Sequence, residues 1–323
     1  MWEAEGIMKE KEVCFQVALC DTWVEIPSSE HRGSEKQEKV KTEMDRFKAV
    51  VALDKGYVFS VVAPNYKLIT NEDAIQMGQE CFDAVFPLLS SEGMKLYNVI
   101  MPKSRSFCHL DYIHPDSSFD YSAGDPWAPY LRITNSYNRT FALNYDLGFC
   151  RGICRNGIIF GKRNIIFKFY HSKTAKAPQT QFQLRAGELR ELEKQFMESL
   201  HNLSRYYVKK EYMWALACKV FKIPVPTPFT KDKQREIWEA RKAHVEELAR
   251  KYFDDKKIGP NGYAALNVLT DFATRPVGAI SSEIRINSLQ QKAGDWVHEF
   301  IEAIQSKTFS FEKYLEEYAK LVA

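Results

Sequence analysis

The sequence lacks the features that mark membrane-spanning, secreted and disordered chains. It has no apolar run approaching the roughly 18 residues that a spanning helix needs. Its first residues mix acids with bases and contain no apolar stretch, so no secretory signal is predicted and we expect a cytoplasmic chain. Hydrophobic residues make up 45% of the chain and charged residues 27%, a balance that predicts a folded protein with a buried core.

Motifs of the common nucleotide-dependent enzymes and zinc proteases are also missing. The sequence contains neither of the glycine-rich loops G-x-x-x-x-G-K-[ST] and G-x-G-x-x-G, and it has no H-E-x-x-H. We therefore expect no cofactor, and we assign no catalytic residue. The seven cysteines are odd in number and scattered, which indicates reduced thiols rather than a disulfide framework.

The net charge is small, but it is distributed unevenly along the chain. The 323 residues carry 45 Lys and Arg against 42 Asp and Glu, a formal charge of +3. Residues 131–176 hold nine of these bases and one acid, Asp146, so this segment carries +8 and the remainder −5. Such asymmetry is typical of a surface that binds a polyanion. The nine bases are Arg132, Arg139, Arg151, Arg155, Lys162, Arg163, Lys168, Lys173 and Lys176.

Aromatic residues alternate with these bases, and the pattern has two interpretations. Single-stranded nucleic acid is favoured if the cations follow phosphates and the rings stack on bases, at about 1–3 kcal/mol for each base. Alternatively, strand alternation places every second residue from Phe141 to Leu147 on one face, where these side chains would form part of a core. The aromatic residues of the segment are Tyr137, Phe141, Tyr145, Phe149, Phe160, Phe167, Phe169 and Tyr170.

The order of predicted elements indicates an α+β fold. An antiparallel sheet of hairpins occupies the N-terminal and central part, because its short strands are separated by turns that are too short for parallel crossovers. A mostly helical part follows it. We divide the chain into an N-terminal strand and polar linker (1–46), an α+β domain (47–275) and C-terminal helices (276–323).

Local patterns predict several elements individually. Asp54-Lys55-Gly56 separates two apolar runs as the turn of a hairpin, whereas residues 28–45 are predicted to be a linker. A helix is predicted to begin after Asn71 as its N-cap. Asn156-Gly157 is the strongest turn signal in the chain. Residues 185–221 predict one long helix or a helical pair. Later helices are predicted at about 231–253, 261–274, 288–305 and 310–322.

Four groups of residues occur in order within residues 47–275. They are Asn135, Ser136 and Asn138; Arg151, Cys154 and Asn156; His171 at the end of a basic strand; and Asn261, Ala265, Asn267, Thr270 and Asp271 on a late helix. Together they resemble the phage/plasmid-like family of uncharacterised proteins found in prophages, phages and mobile plasmids. Arg139 stands where that family more often has Gly. The resemblance implies a prokaryotic mobile element and a role in DNA metabolism, recombination or host-defence interplay.

Two other interpretations compete with binding of nucleic acid. His109, Asp111, His114 and Asp116 bring two imidazoles and two carboxylates into one short stretch, as a metal-dependent nuclease would need to hold a cation and activate water. Within this group, strand alternation would place His109 and Asp111 on the same side. The remaining interpretation is a non-enzymatic interaction protein whose basic segment binds an acidic surface on a host or phage protein.

Our leading prediction is a protein that binds nucleic acid through segment 131–176, with single-stranded DNA favoured. No membrane is expected among its partners. For Arg151 and His171 the sequence leaves open whether each contacts the partner or makes a structural hydrogen bond. The polar group on the late helix is predicted to clamp that helix to the sheet, against Asn135 or Asn156. The predicted contact residues are Arg132, Arg139, Arg151, Arg155, Asn156, Lys162, Arg163, Lys168 and His171.

Overall fold

A computed structural model gives the structure of the chain. It describes residues 10–27, 39–85, 91–122, 124–152, 157–159, 166–169, 171, 194–277 and 283–321. Strands fill the first half of these residues and helices the second, so the predicted α+β class is confirmed. No helix within the described ranges has the length and apolar character that crossing a membrane requires.

A small antiparallel sheet lies near the start of the chain, after the short helix α1 (Glu10–Val13). Its strands, in spatial order, are β1 (Val17–Pro27), β2 (Lys39–Ala52) and β3 (Tyr57–Val62). β2 and β3 form the predicted hairpin, and Gly56 adopts φ +63° in its turn, a conformation that glycine takes without strain. The linker prediction is wrong for residues 39–45, which belong to β2, and residues 39–43 are held extended by pairing with β1.

Only one face of the small sheet is buried. Val17, Val50 and Val62 pack with Tyr137 on that face. Nine large hydrophobic side chains of this sheet and its turn are 41–57% exposed, whereas elsewhere in the described chain Tyr207 and Phe229 alone reach such exposure. The nine are Trp23, Val24, Ile26, Val40, Phe47, Leu53, Tyr57, Val58 and Val61.

A seven-stranded antiparallel sheet forms the centre of the fold. Its strands are β4 (Lys95–Ile100), β5 (Phe107–Ile113), β6 (Phe119–Asp120), β7 (Pro126–Ser136), β8 (Leu143–Arg151), β9 (Gly157–Ile159) and β10 (Ile166–Phe169). The spatial order is β10-β8-β7-β5-β4, with β6 beside β7 and β9 beside β8. Because side chains alternate along a strand, this sheet has one apolar face and one face that carries buried charges.

Helix α2 (Asn71–Val85) covers the apolar face. A Cβ at Gly78 would lie 2.5 Å from Cδ1 of Ile133, so glycine is needed for this close approach of helix and sheet. The Tyr145 hydroxyl donates a hydrogen bond to the Ala74 carbonyl (2.8 Å). Leu143, Tyr145 and Leu147 lie in the same core, which confirms the core interpretation for this row of strand residues.

The helices of the second half follow the predicted order. Residues 194–205 form α3, and the later helices are α4 (Met213–Phe221), α5 (Asp232–Phe253), α6 (Gly262–Thr274), α7 (Glu283–Ile304) and α8 (Phe311–Leu315). Residues 185–221 therefore contain a helical pair, although residues 185–193 lie outside the described ranges. α7 starts five residues before its predicted beginning.

Two local predictions need correction. The cap of α2 is Thr70, whose Oγ1 accepts a hydrogen bond from the Asp73 amide (3.1 Å). Asn71, predicted as the cap, instead donates to the Val13 carbonyl through its side chain (2.9 Å). β8 and β9 are antiparallel neighbours, but Gly157, predicted in the turn between them, belongs to β9, where it pairs with Cys150; Asn156 lies outside the described residues.

Candidate functional site

Three charged side chains form a row across the charged face of the large sheet. Asp111 on β5, Arg132 on β7 and Asp146 on β8 are direct neighbours in the strand register, and all three are buried. Arg132 donates two parallel hydrogen bonds to Asp111, from Nε to Oδ1 (2.6 Å) and from Nη2 to Oδ2 (2.8 Å). Two parallel bonds fix the geometry of both groups. Nη1 of Arg132 also donates to Oε1 of Gln290 (2.6 Å), which ties the sheet to α7.

The electrostatics of this pair favour its ionised form. Burial alone would lower the pKa of Arg132, but the Asp111 carboxylate beside it holds this pKa above the ordinary value. Burial would likewise raise the pKa of Asp111, but the guanidinium holds it below its usual range. Asn98 stabilises the same carboxylate by donating to Oδ2 (3.0 Å). The pair is therefore charged and almost fully hydrogen-bonded inside the protein.

The pKa of Asp146, unlike that of Asp111, is not held low, because Arg132 is already bound to Asp111. Burial raises the pKa of Asp146 to about 6, with the nearby negative charge of Asp111 adding to the effect and Arg132 opposing it. This carboxyl group is therefore the member of the row that titrates closest to neutral pH.

A second buried pair lies at the C-terminal end of β8. Arg151 donates to Asp125 from Nε to Oδ1 (2.5 Å) and from Nη2 to Oδ2 (2.8 Å). Its Nη1 donates to Oδ1 of Asn267 on α6 (2.8 Å), and the Tyr263 hydroxyl donates to Asp125 (2.6 Å). The Trp127 indole donates to that same hydroxyl (3.1 Å). These contacts bind the sheet to the start of α6.

For Arg132 and Arg151, the expectation of an exposed cation is therefore wrong. Their side chains are 0% and 3% exposed, and each is bound to a carboxylate. Neither can reach a phosphate unless its ion pair breaks, which would leave a buried charge without its partner. Of the alternatives for Arg151, the structure supports the structural hydrogen bond.

Arg139, Lys168 and His171 lie nearer the surface. Arg139 is exposed in the turn after β7, where its backbone adopts φ +66°, and Lys168 is exposed on the edge strand β10. The His171 ring is half-buried and stacks on Tyr66, with 5.1 Å between centroids and 7° between planes. His171 also makes a structural hydrogen bond from Nδ1 to the Lys67 carbonyl (3.1 Å). Arg155, Asn156, Lys162 and Arg163, also predicted as contacts, lie outside the described residues.

Most aromatic residues of the basic segment cannot serve as a stacking platform. Five of the six in the described ranges are buried, and Phe141 is half-buried against Phe107 and His109. A base could reach the buried rings only if the core opened. The five are Tyr137, Tyr145, Phe149, Phe167 and Phe169.

The predicted metal cluster does not assemble. His109 and Asp111 follow each other on the same face of β5, as expected, but Asp111 is bound to Arg132, and Nδ1 of His109 hydrogen-bonds Thr134 (2.8 Å). Burial and the nearby Arg132 lower the pKa of His109 to about 3, so this imidazole is neutral. His114 is buried against Phe82, and Asp116 is exposed. Within the described residues, no three His, Cys, Asp or Glu side chains could together hold a metal ion.

Asn267 makes the predicted contact between α6 and the sheet, whereas Thr270 and Asp271 bind within the helical layer. The partner of Asn267 is Arg151 and not Asn135, whose side chain binds Ile69 and Asn71. Asn267 binds Arg151 and donates to the Tyr263 carbonyl (2.8 Å), and Thr270 donates to the Leu266 carbonyl (2.9 Å). Asp271 accepts hydrogen bonds from the Lys251 ammonium (2.9 Å) and the Tyr252 hydroxyl (2.7 Å), and its pKa lies below the usual range because these donors and Arg275 outweigh its burial.

A cleft of about 370 Å³ opens beside the Arg151 pair, between the large sheet and the helices. Asp125, Arg151 and Tyr263 line its inner wall, and Tyr121 and His201 lie closer to its mouth. Of these residues, the sequence patterns assign only Arg151 to a site. Asp125 and Tyr121 belong to a polar loop without any motif, so no sequence signal points to them.

The fold and these contacts define an α+β protein in which buried arginine–carboxylate pairs join a central sheet to a helical layer. The family model described as Domain of unknown function (DUF932) matches residues 58–291, well over half of the chain. The chain therefore belongs to that family, and the resemblance to a family of uncharacterised proteins is confirmed at this level. Neither a curated protein nor a solved structure matches the chain.

Proposed function

We propose that the chain binds nucleic acid, with single-stranded DNA favoured, through the exposed cations of segment 131–176. The observation that carries this proposal is the charge that remains after the buried groups are set aside. Arg132 lies between two buried carboxylates, Arg151 is bound to Asp125, and the only acid of the segment, Asp146, is itself buried. The sequence of the segment holds seven further cations and no second acid, and two of those cations, Arg139 and Lys168, lie in the described residues and are exposed.

The described part of this surface supports contact with phosphates. Arg139 and Lys168 are both exposed, one in the turn after β7 and the other on the edge strand β10. When exposed protein cations bind phosphates, they displace the counterions condensed on the nucleic acid. This release favours binding, and its contribution falls as the salt concentration rises. The preference for a single strand rests on the stacked Tyr66 and His171 rings close to the exposed Lys67.

The biological setting belongs to the same proposal. The resemblance to phage and plasmid proteins suggests that the chain acts for a mobile genetic element, in DNA metabolism, recombination or host-defence interplay. A surface that binds phosphates without reading bases would suit handling of single-stranded intermediates in such processes.

Binding across a salt series tests the proposal. Fluorescent single-stranded and double-stranded oligonucleotides would be titrated with the full chain between about 50 and 200 mM salt. We expect affinity for single strands to fall steeply as salt rises, because log Kobs changes by about 0.7 per contacted phosphate for each unit of log salt. A chain that binds neither oligonucleotide at the lowest salt would contradict the proposal.

A pair of matched variants locates the surface. Replacing Arg139 and Lys168 together by Ala should weaken binding and make the salt slope shallower by about 1.4, the value for two lost phosphate contacts. The control replaces the exposed Lys233 and Lys313 by Ala, which removes the same charge from the helical part. Equal losses in both variants would mean that only the net charge matters and that this surface is not the interface.

A further inference from the structure

The cleft beside Arg151 is built differently from the surface around Arg139 and lies far from that residue. Its inner wall includes the last residue of β8, whereas Arg139 lies in the turn that joins the other ends of β7 and β8. β7 has 11 residues, so the two places are roughly 35 Å apart. A small ligand bound in the cleft would therefore not touch Arg139, and its binding does not rest on the proposed interface.

The inner wall of the cleft is rigid and electrically balanced. Asp125 accepts two hydrogen bonds from Arg151 and one from Tyr263, and it is buried with them. Arg151 is held from its other side by Asn267. A wall with paired charges does not demand a counterion from solvent, so it can form the floor of a site for a neutral, flat group.

One side of the cleft is aromatic. The rings of Tyr121 and Tyr263 have centroids 4.6 Å apart, and the rings of Tyr121 and His201 have centroids 5.3 Å apart. Two hydrogen bonds orient the outer rings: the Tyr121 hydroxyl donates to the Leu200 carbonyl (3.3 Å), and Nδ1 of His201 donates to the Met197 carbonyl (2.8 Å). Preoriented rings of this kind are the feature on which nucleobases stack.

The other side of the cleft holds two lysines and one acid. Lys251 and Lys257 line it; the Lys251 ammonium is bound to Asp271, and the Lys257 ammonium makes no salt bridge with any acid in the described ranges. Asp255 is the acid on this side, and one of its oxygens already accepts the Lys257 backbone N–H (2.8 Å). Lys256 lies next to them and is exposed. A phosphate group would find at least one ammonium group available there.

We infer that this cleft binds a nucleotide unit, with the base against Tyr121 and His201 and the phosphate towards Lys257. The volume of about 370 Å³ falls within the range of small-molecule sites. The combination of rings on one side and a lysine on the other matches a ligand that is flat at one end and anionic at the other. The same chemistry is presented by a free nucleotide and by the terminal nucleotide of a strand.

Calorimetric titration of the full chain tests this inference. The probes are the four deoxynucleoside 5′-monophosphates, the matching nucleosides, inorganic phosphate and a short 5′-phosphorylated oligonucleotide. We expect at least one monophosphate to bind more tightly than its nucleoside and than phosphate alone, because both ends of the ligand contribute. If the oligonucleotide competes for the site, the source is a strand end; if only monophosphates bind, it is the free nucleotide.

Variants at the mouth of the cleft keep the test independent of folding, because His201 and Lys257 are exposed. Lys257→Ala should weaken binding of the monophosphate by roughly fivefold and leave nucleoside binding unchanged. His201→Ala and Tyr121→Ala should weaken both ligands, by about tenfold for a lost stacking contact. Tyr121→Phe keeps the ring and should retain most of the affinity.

Lys233→Ala is the charge control, and the Arg139 and Lys168 double variant should bind the monophosphate like the wild type. The inference is overturned if no monophosphate binds better than inorganic phosphate, or if the Lys257 and His201 variants bind as the wild type does. Because the double variant leaves the cleft intact, failure of the proposed interface and failure of this inference give different results.

Discussion

Arg132 and Arg139 come from the same basic segment, yet they lie in opposite environments. Arg132 is within β7, fully buried, and has Asp111 and Asp146 directly opposite it on the two neighbouring strands. Arg139 is in the turn after that strand, where it is exposed and has no acid in an ion pair with it among the described residues. One arginine holds the fold together, and the other is available to a partner.

This contrast shows that charge density along a sequence combines two populations of cations. Arg132 and Arg151 are matched by carboxylates that the strand register brings beside them, so they add nothing to the surface. Arg139, in a turn, lies outside that register and stays exposed. A count of bases therefore predicts a binding surface only after the cations with buried carboxylate partners have been removed from it.

The largest expected effect separates these two populations by stability. Arg132→Ala leaves Asp111 and Asp146 buried without a cation, and breaking a buried pair in this way costs about 3–5 kcal/mol. We expect a lower midpoint in urea unfolding, or failure to fold. Arg139→Ala, the matched exposed variant, should change the free energy of unfolding by less than about 0.5 kcal/mol. Equal stabilities for the two variants would contradict the division into structural and surface arginines.

The next effect concerns Asp146 and depends on pH. Its pKa is about 6 in the folded chain against an ordinary value of 3.8, so its protonated form stabilises the fold below about pH 4 and this stability is lost as the pH rises through 6. Asp146→Asn does not titrate. Relative to the wild type, the variant should therefore be more stable at pH 8 than at pH 4, by about 2.5 kcal/mol. Chemical unfolding at both values measures this difference, and a pH-independent difference would show that Asp146 titrates normally.

The smallest effect distinguishes the contribution of the Arg139 backbone to stability from the contribution of its charge to binding. Its φ of +66° is costly for any residue with a Cβ, so Arg139→Gly should raise stability by about 0.5–1 kcal/mol. Arg139→Ala keeps the Cβ and should bring no such gain. Both variants lose the same charge, so both should weaken oligonucleotide binding equally. If only one of them binds less tightly, the turn conformation rather than the cation is what the nucleic acid recognises.

Elements with their own local pattern were predictable from the sequence. The hairpin at Gly56, helix α2 and helices α5 and α6 have turn residues or periodic apolar positions within a short window. The strand over residues 39–45 was missed, because pairing of residues 39–43 with β1, rather than burial of an apolar face, keeps it extended. Local sequence pattern therefore identifies helices and hairpins that contain their own turn residues or apolar periodicity. It fails for a strand that is stabilised by pairing with another strand.

The burial of the two arginines could not be predicted for a related reason. Asp111 lies 21 residues from Arg132, and Asp125 lies 26 residues from Arg151, so each pair depends on which residues the strands bring into register. The cleft beside Arg151 combines side chains from two loops, a strand and three helices that no single window of sequence contains. The clamp between α6 and the sheet was predictable in kind, but its partner, Arg151, was not.

The central claim is that the exposed cations of segment 131–176, and not its buried ones, bind nucleic acid. The most direct measurement is the salt dependence of single-stranded DNA binding for the wild type, the Arg139 and Lys168 double variant, and the Lys233 and Lys313 control. We predict a salt slope that is shallower by about 1.4 in the double variant alone, with wild-type stability in both variants. An unchanged slope in the double variant would contradict this claim.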